Sequence, residues 1–135
     1  MTSTYEKDFV QWLDEQASFL LQGKYEQLDV TNLVEEIEAL GRSEVRAAFN
    51  LLKQIIAHKL KLEYSELIDP RKHWQDEIDE FYEQLGFVLT KTVRNKLDLE
   101  KIYQAAKKKV LKNYDFDLPD KCPYSWEKLL AELTN

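Results

Sequence analysis

One cysteine in 135 residues cannot close an internal disulfide, so the fold is expected to stand on its apolar core, and Cys122 points to a reducing, cytoplasmic setting. Three glycines and three prolines leave no room for collagen-like or low-complexity stretches. No apolar run approaches the roughly 18 residues of a membrane span. The most apolar stretch, 51–60, is already broken by Lys53, Gln54, His58 and Lys59. The N-terminal residues lack the basic-then-apolar order of a signal peptide. His58 and His73 are the only histidines, neither in a zinc-binding spacing, so no metal is expected. Phosphate-cradling glycine loops, dinucleotide fingerprints and the nucleophile elbow are missing, so no cofactor is implied. Cys122, between Lys121 and Pro123, reads as an incidental loop thiol rather than a nucleophile.

What is present is 44% hydrophobic and 33% charged residues, with a net charge of −6. That balance excludes a disordered tail. A chain of this length reads as one domain, 1–135, able to bury roughly two-thirds of its unfolded surface.

The apolar period is helical throughout, and no alternating run is long enough for a strand. A first helix is expected over 5–22, with Phe9, Trp12, Leu13, Phe19 and Leu20 in phase and Gly23 as its stop. A second fits 30–40, where Val30, Leu33, Val34, Ile37 and Leu40 form a stripe. Asp29 or Thr31 can cap its start, and Gly41 can turn left-handed past its end. A third runs over 43–64. After Asp69 and Pro70 comes a fourth, its seam made by Trp74, Ile78, Phe81, Leu85 and Val88. Gly86 and several β-branched residues leave 86–97 ambiguous. A fifth helix is expected over 98–114 with Asp98 as cap, then a proline-bearing loop and a short helix capped by Ser125. The fold class is therefore all-α: a single-domain helical bundle of about five helices plus a short C-terminal helix.

Charge is uneven. Residues 1–40 carry nine acids against Lys7 and Lys24, a net of −7, whereas 88–114 carry eight bases against Asp98 and Glu100, a net of +6. On the fifth helix Lys101, Lys108 and Lys112 fall within about 40° of one another. With no aromatic among them, they read as a solvated lysine face balancing the acidic helices. A nucleic-acid footprint is the alternative.

Ionisable groups at the edge of an apolar stripe are the places to look for chemistry. On the second helix Asp29, Asn32 and Glu36 share one flank, with Asn32 and Glu36 bordering the core. On the third, His58 sits at the edge of the buried face with Lys61 further round. A carboxylate and an imidazole on antiparallel neighbours can share a proton or hold a ligand, although such a pair is more often a satisfied packing contact. Trp12 and Trp74 are core residues first, with Trp74 able to wall a pocket beside His58. Asp8, one turn before Trp12, suits the positive end of the first helix.

These residues carry a resemblance. The stretch DFVQWLDEQA beginning at Asp8 and LDVTNLVEEIEALGRSE beginning at Leu28 are followed by Leu51, Leu52, His58 and Lys61. Trp74 with Ile78 comes next, then Pro119, Cys122, Pro123, Tyr124 and Leu129. In order and spacing they are similar to the bacterial domain of unknown function 29 family, abundant in cyanobacteria. The resemblance covers nearly the whole chain. It implies a compact α-helical domain and brings no activity with it. The family's recurrent polar positions correspond to Asp8, Asp29, Asn32, Glu36, His58 and Lys61. This chain departs from the family pattern at His73, before Trp74, where a serine is usual, at Tyr82 in place of an arginine, and at Lys59 in place of a leucine.

The candidate ligand-binding or polar cluster is thus Asp8, Asp29, Asn32, Glu36, His58, Lys61 and Trp74. The expected function is a macromolecule-binding or regulatory module whose partner is a protein or a second copy of the chain, with no membrane association. The alternative is a hydrolase or nuclease-like effector. In it Glu36 and His58 would be acid and base, Lys61 would stabilise developing negative charge, and Trp74 would pack a base or ring.

Overall fold

Residues 4–133, which the computed structural model describes, hold seven α-helices and two single 3-10 turns and no strand. The chain divides into two compact units, Met1–Arg42 and Ser43–Asn135.

In the first unit the expected opening helix is two pieces, α1 (Thr4–Lys7) and α2 (Phe9–Leu21). They part at Asp8, whose backbone leaves the helical region (φ −149°) while its carboxylate accepts from the Gln11 N–H. A side chain that bonds its own downstream amide favours a cap over continued helix. Gly23 ends the segment with φ +71°, a left-handed value that suits glycine. A 3-10 turn, Tyr25–Gln27, leads into α3 (Val30–Tyr64). Asp29 Oδ1 accepts from the Asn32 N–H at 3.4 Å, so of the two cap candidates Asp29 takes the role.

The break expected at Gly41 does not occur. What reads as two helices, 30–40 and 43–64, is the single 35-residue α3, and Gly41 is helical within it. Glycine in a helix interior costs about 1 kcal/mol relative to alanine, too little to stop a helix that is supported on both sides. Arg42 reaches back to Glu35 at 3.3 Å and Glu38 at 3.8 Å, bridging the joint.

The second unit holds the main apolar core. From α3 it takes Leu52, Ile55, Ile56 and Leu60; from α4 (Arg71–Val88) Ile78, Tyr82 and Leu85; from α6 (Leu99–Leu111) Ile102, Tyr103, Ala106 and Val110. Each large aliphatic side chain buried this fully contributes roughly 1.5–3 kcal/mol. The ambiguous segment 86–97 resolves into the end of α4, which runs through Gly86 to Val88, and a one-turn α5 (Lys91–Asn95) capped by Thr90. Asp98 caps α6, and Ser125 caps α7 (Trp126–Leu130), both as expected. Leu99, the first residue of α6, is half-buried. Among the described residues no helix is long and apolar enough to cross a membrane.

Candidate functional site

Four of the seven candidate residues, Asp8, Asp29, Asn32 and Glu36, fall in the first unit, and three, His58, Lys61 and Trp74, in the second.

In the first unit the hub is Asp29. Its Oδ2 accepts from the buried Trp12 indole Nε1 at 3.0 Å and from the Asn32 amide at 2.8 Å. The Asn32 amide does most to hold the Asp29 carboxyl below its ordinary 3.8. Partial burial works against it, and the Trp12 indole and Asn32 backbone N–H work with it. Gln16, buried on α2, accepts from the Asp29 backbone N–H at 2.8 Å. A residue at the foot of α3 is thereby gripped twice from α2, once by its carboxylate and once by its backbone. Tyr5 donates to Glu36. That bond, chiefly, pushes the Tyr5 phenol up to about 12. The Tyr5 ring also meets Trp12 edge-on at 4.7 Å. Asp8 is the cap already described and takes no part in the hub. The polar residues that sequence periodicity marks as edge groups are therefore largely occupied in joining α2 to the start of α3. Tyr5 and Gln16 were not singled out from the sequence. The signal for Gln16 was its place one turn beyond Trp12, on the same face.

The same two helices leave most of their other apolar side chains open. On α3 Val30, Ile37 and Leu40 are 60%, 65% and 70% exposed, and Val34 is exposed as well. On α2 Phe9, Leu13 and Leu20 are exposed and lie within about 40° of one another at about 100° per residue. The stripe expected to serve as a core seam over 30–40 is mostly a surface, with Leu33 half-buried. Only Trp12 and Gln16 of the described residues in this unit are buried. Two short helical segments have too little mutual surface to cover both stripes.

In the second unit, both histidines of the chain meet one carboxylate that the sequence reading passed over. His58 Nε2 contacts Glu77 Oε2, and His73 Nε2 lies 2.8 Å from Glu77 Oε1. The other His58 nitrogen, Nδ1, lies 2.9 Å from the Gln54 carbonyl. Burial, above all, pushes the His58 imidazolium below its ordinary 6.5, and Lys61 adds to this. The Glu77 hydrogen bond and the Gln54 carbonyl oppose it without prevailing. For Glu77 burial raises the carboxyl, yet the bond from His58 and the charges of His58, His73 and Lys61 outweigh it and hold the group below 4.5.

A neutral His58 ring has one N–H for two oxygen acceptors. It satisfies only one of them at a time, whereas the doubly protonated ring would satisfy both. Each ring nitrogen faces a protein oxygen. Lys61 Nζ sits 5.3 Å above the Trp74 ring, and Lys109 donates to the Gln54 side chain at 2.5 Å. Burial and Lys109 lower Lys61, with Glu77 opposing.

Glu36 and His58 lie on the same helix, not on antiparallel neighbours, and each has its own partner. The signal for Glu77 was available: His73 and Glu77 stand four apart on one helix, and Glu77 precedes the buried Ile78. Among the described residues no group of three or more histidine, cysteine or carboxylate side chains is arranged to hold a metal ion.

Comparison with known proteins adds a family and a fold. The family model described as "Domain of unknown function DUF29" matches residues 4–133. A crystal structure of an α-helical protein of unknown function from Rhodospirillum rubrum is similar, with a TM-score of 0.68 and 26% sequence identity. The match covers 98% of this chain and 92% of that one. No curated protein matches.

Proposed function

The chain belongs to the DUF29 family, and from that premise we propose that it is a binding module that docks a macromolecular partner on the exposed apolar side of its first unit. One observation carries this reading. Of the apolar residues placed in phase on α2 and the start of α3, only Trp12 is buried, whereas Phe9, Leu13, Leu20, Val30, Val34, Ile37 and Leu40 remain exposed. Scattered surface leucines are ordinary, but two helical stripes on one small unit are the mark of an interaction surface. In this reading the hub at Asp29 holds α2 against the start of α3, so that the stripes are presented by a fixed hairpin. Less is then lost in ordering the surface when a partner arrives.

The hydrolase reading has less support. His58 has both nitrogens engaged by protein oxygens, and Glu36 is taken by Tyr5. With Cys122 as the sole cysteine, we place the protein in a reducing, cytoplasmic setting.

The test is retention of cellular proteins by the wild type and by an Ile37→Ser, Leu40→Ser double variant at low salt. Docking requires at least one protein held by the wild type and lost by the variant. Identical retention by both, or none by either, contradicts it.

A further inference from the structure

The occupant of this surface can be narrowed by its charge. Residues 1–42 carry nine acids against Lys7, Lys24 and Arg42, a net of −6. On α3 Glu38 lies about 40° from Val34 and Glu35 about 60° beyond that, at about 100° per residue. Both are exposed, and among the described residues Arg42 is the one cation paired with them. The apolar stripe is thus bordered by negative charge along one edge.

We propose that the partner is an amphipathic helix with a lysine- or arginine-rich polar side, laid along α2 and the start of α3. This deepens the docking reading and rests on it. Two features of the molecule support the choice. The stripes have the spacing of helix faces, and a third helix laid against two is a common way to complete a layer that two cannot close. The acidic border favours a cationic partner and lowers the encounter rate of anionic ones.

A second copy of the chain is the poorer occupant. Pairing the same patch on two copies sets one unit of −6 against another. The chain's own basic helix α6 is no substitute, because its apolar residues Ile102, Tyr103, Ala106 and Val110 are already buried in its own core. Of its large apolar residues only Leu111 is left exposed, too little to make a face.

The experiment uses the full chain and two synthetic helical peptides. Both carry leucine at steps of three and four; one has lysine at the remaining positions, the other glutamate. Fluorescence anisotropy should show the lysine peptide binding at least about tenfold more tightly than the glutamate peptide, with a preference that shrinks as salt is raised. Ile37→Ser with Leu40→Ser should weaken the lysine peptide about tenfold or more, which ties binding to the stripe rather than to charge alone. Glu35→Lys with Glu38→Lys should reduce or reverse the preference. Equal binding of the two peptides overturns the proposal, as does a preference unmoved by the charge reversal. A concentration-dependent dimer that the serine variant abolishes also overturns it, by making the occupant a second copy. If the peptides do not differ while the serine variant still loses a cellular partner, the basic helix is wrong and the docking reading stands. If neither is seen, both fall.

Discussion

The Trp12 indole donates to Asp29 Oδ2 at 3.0 Å, and through that bond a buried side chain of α2 is tied to the residue that caps α3. The same carboxylate oxygen accepts from the Asn32 amide, and the Asp29 backbone N–H donates to Gln16 Oε1. In the proposed docking reading the hairpin needs such a joint, because few of its apolar side chains are buried between the helices.

Asp29→Ala should therefore destabilise the chain more than an ordinary surface change. It leaves the Trp12 N–H buried without a partner and strips the cap from α3. Together these should cost about 2–3 kcal/mol. Thermal unfolding followed by circular dichroism measures it. A loss below about 0.5 kcal/mol would mean that the hub is incidental.

Gly41→Ala should stabilise, by about 0.5–1 kcal/mol. Gly41 is helical, and an added Cβ meets nothing within 4 Å. If the chain instead ended a helix there in a left-handed turn, alanine would destabilise. The sign of the change in melting temperature separates the two.

Glu77→Gln should lower stability by about 1–2 kcal/mol, since it removes the charged acceptor that both histidines share. For a chain of this size that is a shift of several degrees. No change would show that the three groups meet without holding one another.

Acidification should lower stability steadily. The folded pKa of His58 lies below 6.5, so the unfolded chain takes that proton first as pH falls through 6.5, and folding loses ground. Glu77 and Asp29 lie below 4.5 and 3.8 when folded. Their stabilising contributions are fully present above those values and are lost as pH falls through the folded pKa of each. His58→Ala should flatten the first stage and Asp29→Asn the last. A melting temperature that holds or rises as pH falls through 6.5 would contradict the direction of the His58 shift. One that holds as pH falls below 4.5 and then 3.8 would contradict those of Glu77 and Asp29.

Much of this architecture is legible from periodicity. The seam of Trp74, Ile78 and Leu85 is buried, and the caps at Asp98 and Ser125 stand where a capping residue precedes an apolar run. Gly41 misleads because a weak helix former stops a helix only when nothing spans it, and Arg42 does. The stripe Val30, Val34, Ile37 and Leu40 shows a further limit. Phase tells which side of a helix is apolar, but a docking surface and a core seam have the same phase. Glu77 was missed for a different reason. Its spacing of four from His73 is visible in the sequence, but its bond to His58 comes from another helix, and partners across helices leave no periodic trace. Asp29, Asn32 and Glu36 were marked by their position on one flank, yet their bonds to Trp12 and Tyr5 depend on how α1 and α2 meet that flank.

The most direct test of docking measures, in one experiment, the melting temperature and the bound proteins of wild type and of the Ile37→Ser, Leu40→Ser variant. Both side chains are mostly exposed, so the variant should melt with a change of about 0.5 kcal/mol or less while losing a partner that the wild type keeps. A variant destabilised by about 2 kcal/mol or more, or one that keeps every partner of the wild type, would show that the stripe is not a docking surface.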